Sequence, residues 1–157
     1  MFGGLVCGKN SKIIDIKGGE ASNIVCKKVT CVVPNNSFNS AKLIKFFNDT
    51  NTEYSIEEKE NTTIIVKGIS AHASTPDLGK NAINYLLVGL YNADFDDSFV
   101  DWFNKYFGLD LHGEKLGFEE LKDEYSNTSI NFGVANKKDG VINISLDMRH
   151  AVLLDGK

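Results

Sequence analysis

The sequence predicts an α+β fold, the ferredoxin-like two-layer sandwich, in which an antiparallel sheet carries two helices on one face. Three observations predict it. Several segments are rich in alternating or β-branched apolar residues, two other segments place apolar residues at helical spacing, and together they follow the order β-α-β-β-α. The length of 157 residues suits a single domain. We expect this domain to span residues 11–157, with a helical insertion at about 94–127 before the last strands.

The first half of the chain alternates extended and helical segments. Residues 11–33 are predicted to be extended because they are rich in β-branched side chains, and Pro34 ends the segment because proline cannot donate to a sheet. Residues 40–48 are predicted to form a short amphipathic helix. Two strands over 53–59 and 62–67 then predict a β-hairpin.

The second half supplies the remaining helices and the closing strands. Residues 68–80, rich in Gly, Ser and Pro, predict a loop, and 81–91 carry leucines and isoleucine at helical spacing. A further amphipathic helix is predicted over 96–107. The closing hairpin is predicted from two alternating segments, 128–135 and 141–148, which flank an Asp-Gly turn.

The insertion helix carries an aromatic stripe formed by Phe99, Trp102, Phe103 and Tyr106. Aromatic residues at helical spacing usually mark a buried face, so we expect the stripe to pack this helix onto the sheet or onto a neighbouring domain. The stretch that follows, 108–127, is charged and predicted to be irregular.

Composition excludes several classes of function. The formal net charge is −4 and no run of Lys or Arg forms a basic block, which disfavours a nucleic-acid partner. No apolar run is long enough for a membrane span. Cys7, Cys26 and Cys31 have irregular spacing, so we expect reduced thiols packed as small apolar side chains, and a cytoplasmic protein.

Reactive side chains form no complete active site in the sequence. The chain has no G-x-S-x-G elbow, no H-E-x-x-H motif and no phosphate-binding glycine loop. The three histidines, His72, His112 and His150, are not spaced as metal ligands. We expect His112 and His150 to be structural or exposed.

His72 lies between two alanines in the loop that joins a predicted strand to a predicted helix. Small neighbours leave the imidazole free to project, and a loop held between rigid elements suits a functional residue. On the residues alone, an ordinary histidine without a function is the favoured interpretation, and a functional histidine is the alternative.

Residues 68–82 resemble the G-x-x-A-H-A-S-x-P-x-x-G-x-N-A signature in the lid domain of the zinc-dependent dipeptidases. These are the carnosinase-like and Xaa-His-dipeptidase-like branch of the aminoacylase and carboxypeptidase metallopeptidase superfamily. Residues 17–25 are similar to the family's G-G-x-A-x-N-x-V strand, and 144–149 are similar to its closing strand, which ends in D-x-R. The chain departs from the family at Cys26 and at His150-Ala151, where the family often has proline.

The resemblance implies a lid that closes over a dipeptide bound to a catalytic domain. That domain holds two Zn²⁺ ions through His, Asp and Glu ligands, and a Glu acts as general base. By position in the motifs, His72 matches the histidine that stabilises the oxyanion. Asn23 and Arg149 match the residues that hold the substrate's C-terminal carboxylate. The expected partners are a dipeptide substrate and the protein's own catalytic domain, and relatives suggest a homodimer.

The family's metal-binding motifs are absent from this sequence. We therefore expect an excised lid domain that is inactive alone and binds no catalytic zinc, although the full-length protein would be a zinc metallodipeptidase. Two other interpretations remain open: a free-standing ferredoxin-like module that binds a small molecule or dimerises, and a structural oligomerisation domain. Asn23 could equally be a strand-edge residue, and Arg149 a surface residue paired with an acid.

Overall fold

The described part of the chain forms an open, seven-stranded antiparallel sheet with three helices. The computed structural model describes residues 2–113, 115 and 125–152. The order of strands across the sheet is β1-β7-β6-β2-β3-β5-β4. In chain order the elements are β1 (Phe2–Lys9), β2 (Asp15–Gly18), β3 (Lys28–Val33), α1 (Ser40–Asp49), β4 (Glu53–Glu58), β5 (Thr62–Lys67), a 3-10 turn (Pro76–Leu78), α2 (Ala82–Asn92), α3 (Ser98–Tyr106), β6 (Tyr125–Lys138) and β7 (Val141–Val152).

The predicted α+β, two-layer architecture is confirmed. Elements β3-α1-β4-β5-α2-β6 follow the expected order, and apolar side chains from all three helices join alternate strand residues in one buried cluster. Because alternate residues of a strand face opposite sides, this cluster lies on one face of the sheet. The predicted loop over 68–80 is also present, and its only regular element is the 3-10 turn.

Polar side chains begin each of the three helices. The side chains of Asn39, Asn81 and Asp97 accept hydrogen bonds from backbone N–H groups in the first turns of α1, α2 and α3. Asp97 is buried, and it also accepts from the hydroxyl of Ser11 at 2.9 Å and from the backbone N–H of Lys12. This one carboxylate therefore ties the start of α3 to the chain just after β1.

The sheet includes one strand, β1, that lies before the first predicted strand in the chain. β1 pairs with β7 over its whole length, from Phe2 opposite Met148 to Lys9 opposite Val141, so it precedes residue 11 but belongs to the sheet. Three of its eight residues are glycine, which weakens the local strand signal. Residues 19–27, in contrast, were expected to be extended but leave the sheet between β2 and β3.

The closing hairpin is longer than predicted. β6 already begins at Tyr125, so residues 125–127 of the stretch expected to be irregular are strand. The Asp139–Gly140 turn is confirmed, and both residues have positive φ, as a two-residue hairpin turn requires. Residues 114 and 116–124 lie outside the described part of the chain.

The aromatic stripe of α3 is buried along one side only. Phe99 and Phe103 are buried, whereas Trp102 and Tyr106 are more than a third exposed, so only part of the stripe packs the helix onto the sheet. The helix rests on the sheet through Phe103, whose ring centroid lies 5.0 Å from that of Phe132 on β6. Phe99 and Phe103 are four residues apart and therefore lie on the same face of the helix. Trp102 and Tyr106 lie beside that face.

The cysteines are free, as expected, but only two of them are packed inside. Cys26 and Cys31 are buried, whereas Cys7 on β1 is exposed, so the expectation of packing was wrong for Cys7. Within the described ranges, no helix is both long and apolar enough to cross a membrane.

Candidate functional site

The candidate site is built on residues 19–27, the loop that leaves the sheet after β2 and passes along β6. Asn131 of β6 is fully buried and holds this loop in place. Its side-chain amide donates to the carbonyl oxygens of Ser22 at 2.8 Å and Ile24 at 3.0 Å, on either side of Asn23. The amide of Asn81, at the start of α2, donates to Asn131 Oδ1 at 3.2 Å. One buried hydrogen-bond network therefore positions both the loop and the helix.

Two glycines allow this loop to lie against β6. A Cβ on Gly133 would overlap the carbonyl oxygen of Ala21 and lie 2.5 Å from Cα of Ser22. Gly19 has a φ of +92°, a conformation that L residues rarely adopt, and faces the Gly133 carbonyl. The close approach places the backbone of residues 21–24 within reach of Asn131.

We predict that Gly133→Ala displaces this loop and lowers the free energy of unfolding by about 1–3 kcal/mol, because the new methyl group meets backbone atoms that cannot move independently. Urea unfolding and the amide chemical shifts of residues 21–24 measure the two effects. Gly3→Ala is the control, because a Cβ there meets no atom closer than 3.9 Å. Unchanged shifts and stability in Gly133→Ala would show that the loop does not rest on β6.

The structure brings Asn23 and His72 together. Ile24 forms an isolated antiparallel bridge with His72, and two backbone hydrogen bonds flank it. The N–H of Val25 donates to the carbonyl of Ala71 at 2.8 Å, and the N–H of Ala73 donates to that of Asn23 at 2.9 Å. Both Asn23 and His72 are exposed. Two loops that are distant in the chain, one carrying Asn23 and the other His72, are thus joined through their backbones.

The His72 loop is anchored at both ends. Ile69 and Lys80 exchange backbone hydrogen bonds that close the loop. Two residues of the loop, Ala73 and Pro76, are buried. The ammonium of Lys80 donates to the carbonyls of Thr50 and Asn51 just after α1, and burial lowers its pKa. Within the loop, Nδ1 of His72 lies 3.0 Å from the backbone nitrogen and 2.7 Å from the hydroxyl of Ser74.

Arg149 lies on the neighbouring strand β7, opposite Ser129. Its Nε is 3.3 Å from Oδ1 of Asp147, and that carboxylate is 6% exposed. Asp147 in turn is the register partner of Asn131, the residue that holds the Asn23 loop. Arg149 is therefore paired with an acid and connected to the Asn23 loop only through β6, whereas the loops of Asn23 and His72 are joined to each other by backbone hydrogen bonds.

Three residues of this arrangement were not expected from the sequence: Ser74, Asn131 and Asp147. Ser74 and Asp147 lie inside the motifs that contain His72 and Arg149, so their positions could have suggested a role. Asn131 lies in an ordinary alternating strand and carries no local signal. Its importance comes only from the loops that pack on it.

His112 contacts an acidic side chain outside this arrangement. Its Nε2 lies 2.9 Å from Oδ2 of Asp77, in the 3-10 turn of the His72 loop. The interaction links the segment after α3 to that turn, in keeping with the structural role expected for His112. The side chain of His150 lies outside the described residues.

The described residues do not fit a zinc site. No group of three or more His, Cys, Asp or Glu side chains able to hold a metal ion occurs in ranges 2–113, 115 and 125–152. Burial raises the pKa of Cys26, next to the Asn23 loop, to about 11, and burial also raises the pKa of Cys31. The Cys26 thiol therefore stays protonated at neutral pH and is a poor nucleophile.

Comparison with known proteins does not identify a family. No protein-family model matches the chain, and a search of curated proteins also finds no match. The chemistry of the site therefore has to be judged from its side chains. An amide, an imidazole and a guanidinium can all donate hydrogen bonds, and such a set suits a ligand with carboxylate or oxyanion oxygens.

Proposed function

We propose that this chain is the substrate-capping lid of a zinc metallodipeptidase. In this proposal His72 stabilises the oxyanion that forms when the peptide bond is attacked, and Asn23 and Arg149 hold the C-terminal carboxylate of the dipeptide. The observation that carries the proposal is the bridge between Ile24 and His72, which joins the two anchored loops that carry the exposed side chains of Asn23 and His72.

The chemistry of each residue supports its proposed role. A preorganised donor aimed at developing negative charge in a dry site contributes on the order of 3 kcal/mol to a transition state. The planar guanidinium of Arg149 can form two parallel hydrogen bonds to a carboxylate. Its ion pair with the nearly buried Asp147 restricts where the guanidinium can lie before substrate binds.

The proposal takes its metal ligands from a catalytic domain outside the described residues, because the described residues hold no group that fits zinc. We assign this chain no step of metal chemistry. Its own contribution is to cover the dipeptide, exclude water and supply donors to the substrate's oxygens. The proposal also includes a catalytic domain as partner, a homodimeric enzyme, and the cytoplasm as its location.

The proposal is tested with Arg149→Ala in the full-length protein, assayed on dipeptides with a free or an amidated C-terminus. Loss of a charged hydrogen bond is worth about 1.5–3 kcal/mol, so KM for the free-carboxylate substrate should rise about 10- to 100-fold. The amidated substrate should be nearly unaffected. Lys138→Ala, which removes an exposed cation at the far end of β6, is the control.

Two results would contradict the proposal. Equal losses on both substrates would remove Arg149 from carboxylate binding. If the full-length protein loaded with zinc hydrolysed no dipeptide, the dipeptidase assignment itself would be wrong. A binding or dimerisation module without catalytic activity would then be the better interpretation.

A further inference from the structure

Ser74 contacts the imidazole of His72 through two different atoms. Nδ1 of His72 lies 3.0 Å from the backbone nitrogen of Ser74 and 2.7 Å from its hydroxyl oxygen. A backbone N–H can only donate a hydrogen bond, so Nδ1 must be the acceptor. The hydroxyl can then donate to the same nitrogen, because its hydrogen rotates freely.

We propose that Ser74 is a positioning residue that holds neutral His72 in the tautomer with its proton on Nε2. In a neutral imidazole one nitrogen carries the proton and the other accepts, so the hydrogen bonds at Nδ1 decide the proton's location. The tautomer follows from the geometry alone. Its catalytic consequence rests on the proposed function, in which His72 meets an oxyanion.

The surrounding turn keeps this contact in place. The N–H of Thr75 donates to the carbonyl of His72 at 3.0 Å, and the N–H of Ala73 donates to the carbonyl of Asn23. Ala73 and Pro76, on either side of Ser74, are buried. The backbone N–H of Ser74 is therefore held toward the ring by its neighbours as well as by the ring itself.

The Nε2–H tautomer gives the exposed loop a fixed donor. In the other tautomer Nε2 would carry a lone pair, which repels an oxyanion and can bind no carbonyl oxygen. Ser74 therefore ensures that neutral His72 offers a hydrogen to the substrate without needing a second proton. These hydrogen bonds lie within a single turn of the chain, His72–Thr75. No carboxylate beside the histidine is needed to fix the tautomer.

The tautomer is measured by ¹⁵N NMR of the ring nitrogens of His72 in this chain, in alkaline solution where histidine side chains are neutral. We expect a single state with Nδ1 unprotonated in the folded chain. Ser74→Ala keeps the backbone donor but loses the hydroxyl, so it should shift the signals toward those of the urea-unfolded chain. Ser74→Thr should restore them, and Ser70→Ala, an exposed serine of the same loop, should not change them.

The outcomes are distinct for the two proposals. A proton on Nδ1, a mixture equal to that of the unfolded chain, or ring signals unchanged by Ser74→Ala would overturn the role of Ser74 whether or not the full-length protein is an enzyme. In that protein Ser74→Ala should lower kcat about 3- to 10-fold with KM unchanged, and Ser74→Thr should rescue it. A kcat unaffected by Ser74→Ala, together with a strong effect of His72→Ala, would also overturn it.

Discussion

Under the proposed function, replacing His72 with alanine in the full-length protein is expected to reduce kcat by about 10²-fold or more, as removal of an oxyanion donor does in hydrolases. The effect should be on kcat rather than on KM, because the oxyanion exists only in the transition state and in the intermediate that follows it. Steady-state kinetics on a dipeptide with a free C-terminus measures both constants.

The matched control for this substitution is Thr75→Ala, three residues further along the same loop. Thr75 is exposed and its side chain makes no capping hydrogen bond to the 3-10 turn. His72 is also exposed, so its loss should leave the free energy of unfolding nearly unchanged. A His72→Ala enzyme that folds normally and turns over at the parent rate would exclude His72 from the mechanism.

Phe132→Ala is expected to lower the free energy of unfolding by about 3–5 kcal/mol, the range for truncating a buried aromatic side chain. Phe132 is fully buried, and its ring packs edge-on against those of Phe103 and Phe107, with centroids 5.0 and 4.9 Å away. These contacts hold α3 to the sheet. Urea unfolding followed by circular dichroism measures the change.

Leu78→Ala is the control for Phe132→Ala, because Leu78 is also apolar but is 76% exposed. Its truncation should change the free energy of unfolding by about 0.5 kcal/mol or less. A loss below about 1 kcal/mol in Phe132→Ala would mean that α3 is held to the sheet by contacts other than this aromatic cluster.

The neighbouring residues of β6 explain how core and site are connected. Ile130 and Phe132 face the helices, and Asn131 between them holds the Asn23 loop. Successive residues of a strand face opposite sides of the sheet, so this short segment contributes both to the core and to the candidate site. Any substitution that shifts the register of β6 would move the core and the loop together.

Local elements were predictable because their signals are local. Helix α2 repeats apolar residues at helical spacing and begins at an Asn cap, and the hairpin of β6 and β7 turns at Asp139–Gly140. β1 was not predictable in this way. Its glycines give a weak strand signal, and it becomes a strand because it pairs with β7, at the other end of the chain.

The candidate site likewise combines residues that the sequence could indicate with contacts that it could not. The composition of the loop around His72, with its small neighbours and its resemblance to a known signature, singled out the histidine, and short motifs singled out Asn23 and Arg149. Nothing local indicated that Ile24 would bridge to His72 or that Asn131 would hold the loop. Both depend on which segments meet after the sheet has formed.

The amino-acid sequence by itself determined which segments become helices, turns and hairpins, since backbone propensity, capping and apolar periodicity act between residues close in the chain. Only the tertiary structure decided that β2 lies between β6 and β3, that Gly19 and Gly133 bring two backbones together, and that the loops of Asn23 and His72 are joined. The physical reason is that burial and hydrogen bonding between distant segments depend on the packing of the whole sheet, which no single stretch of sequence encodes.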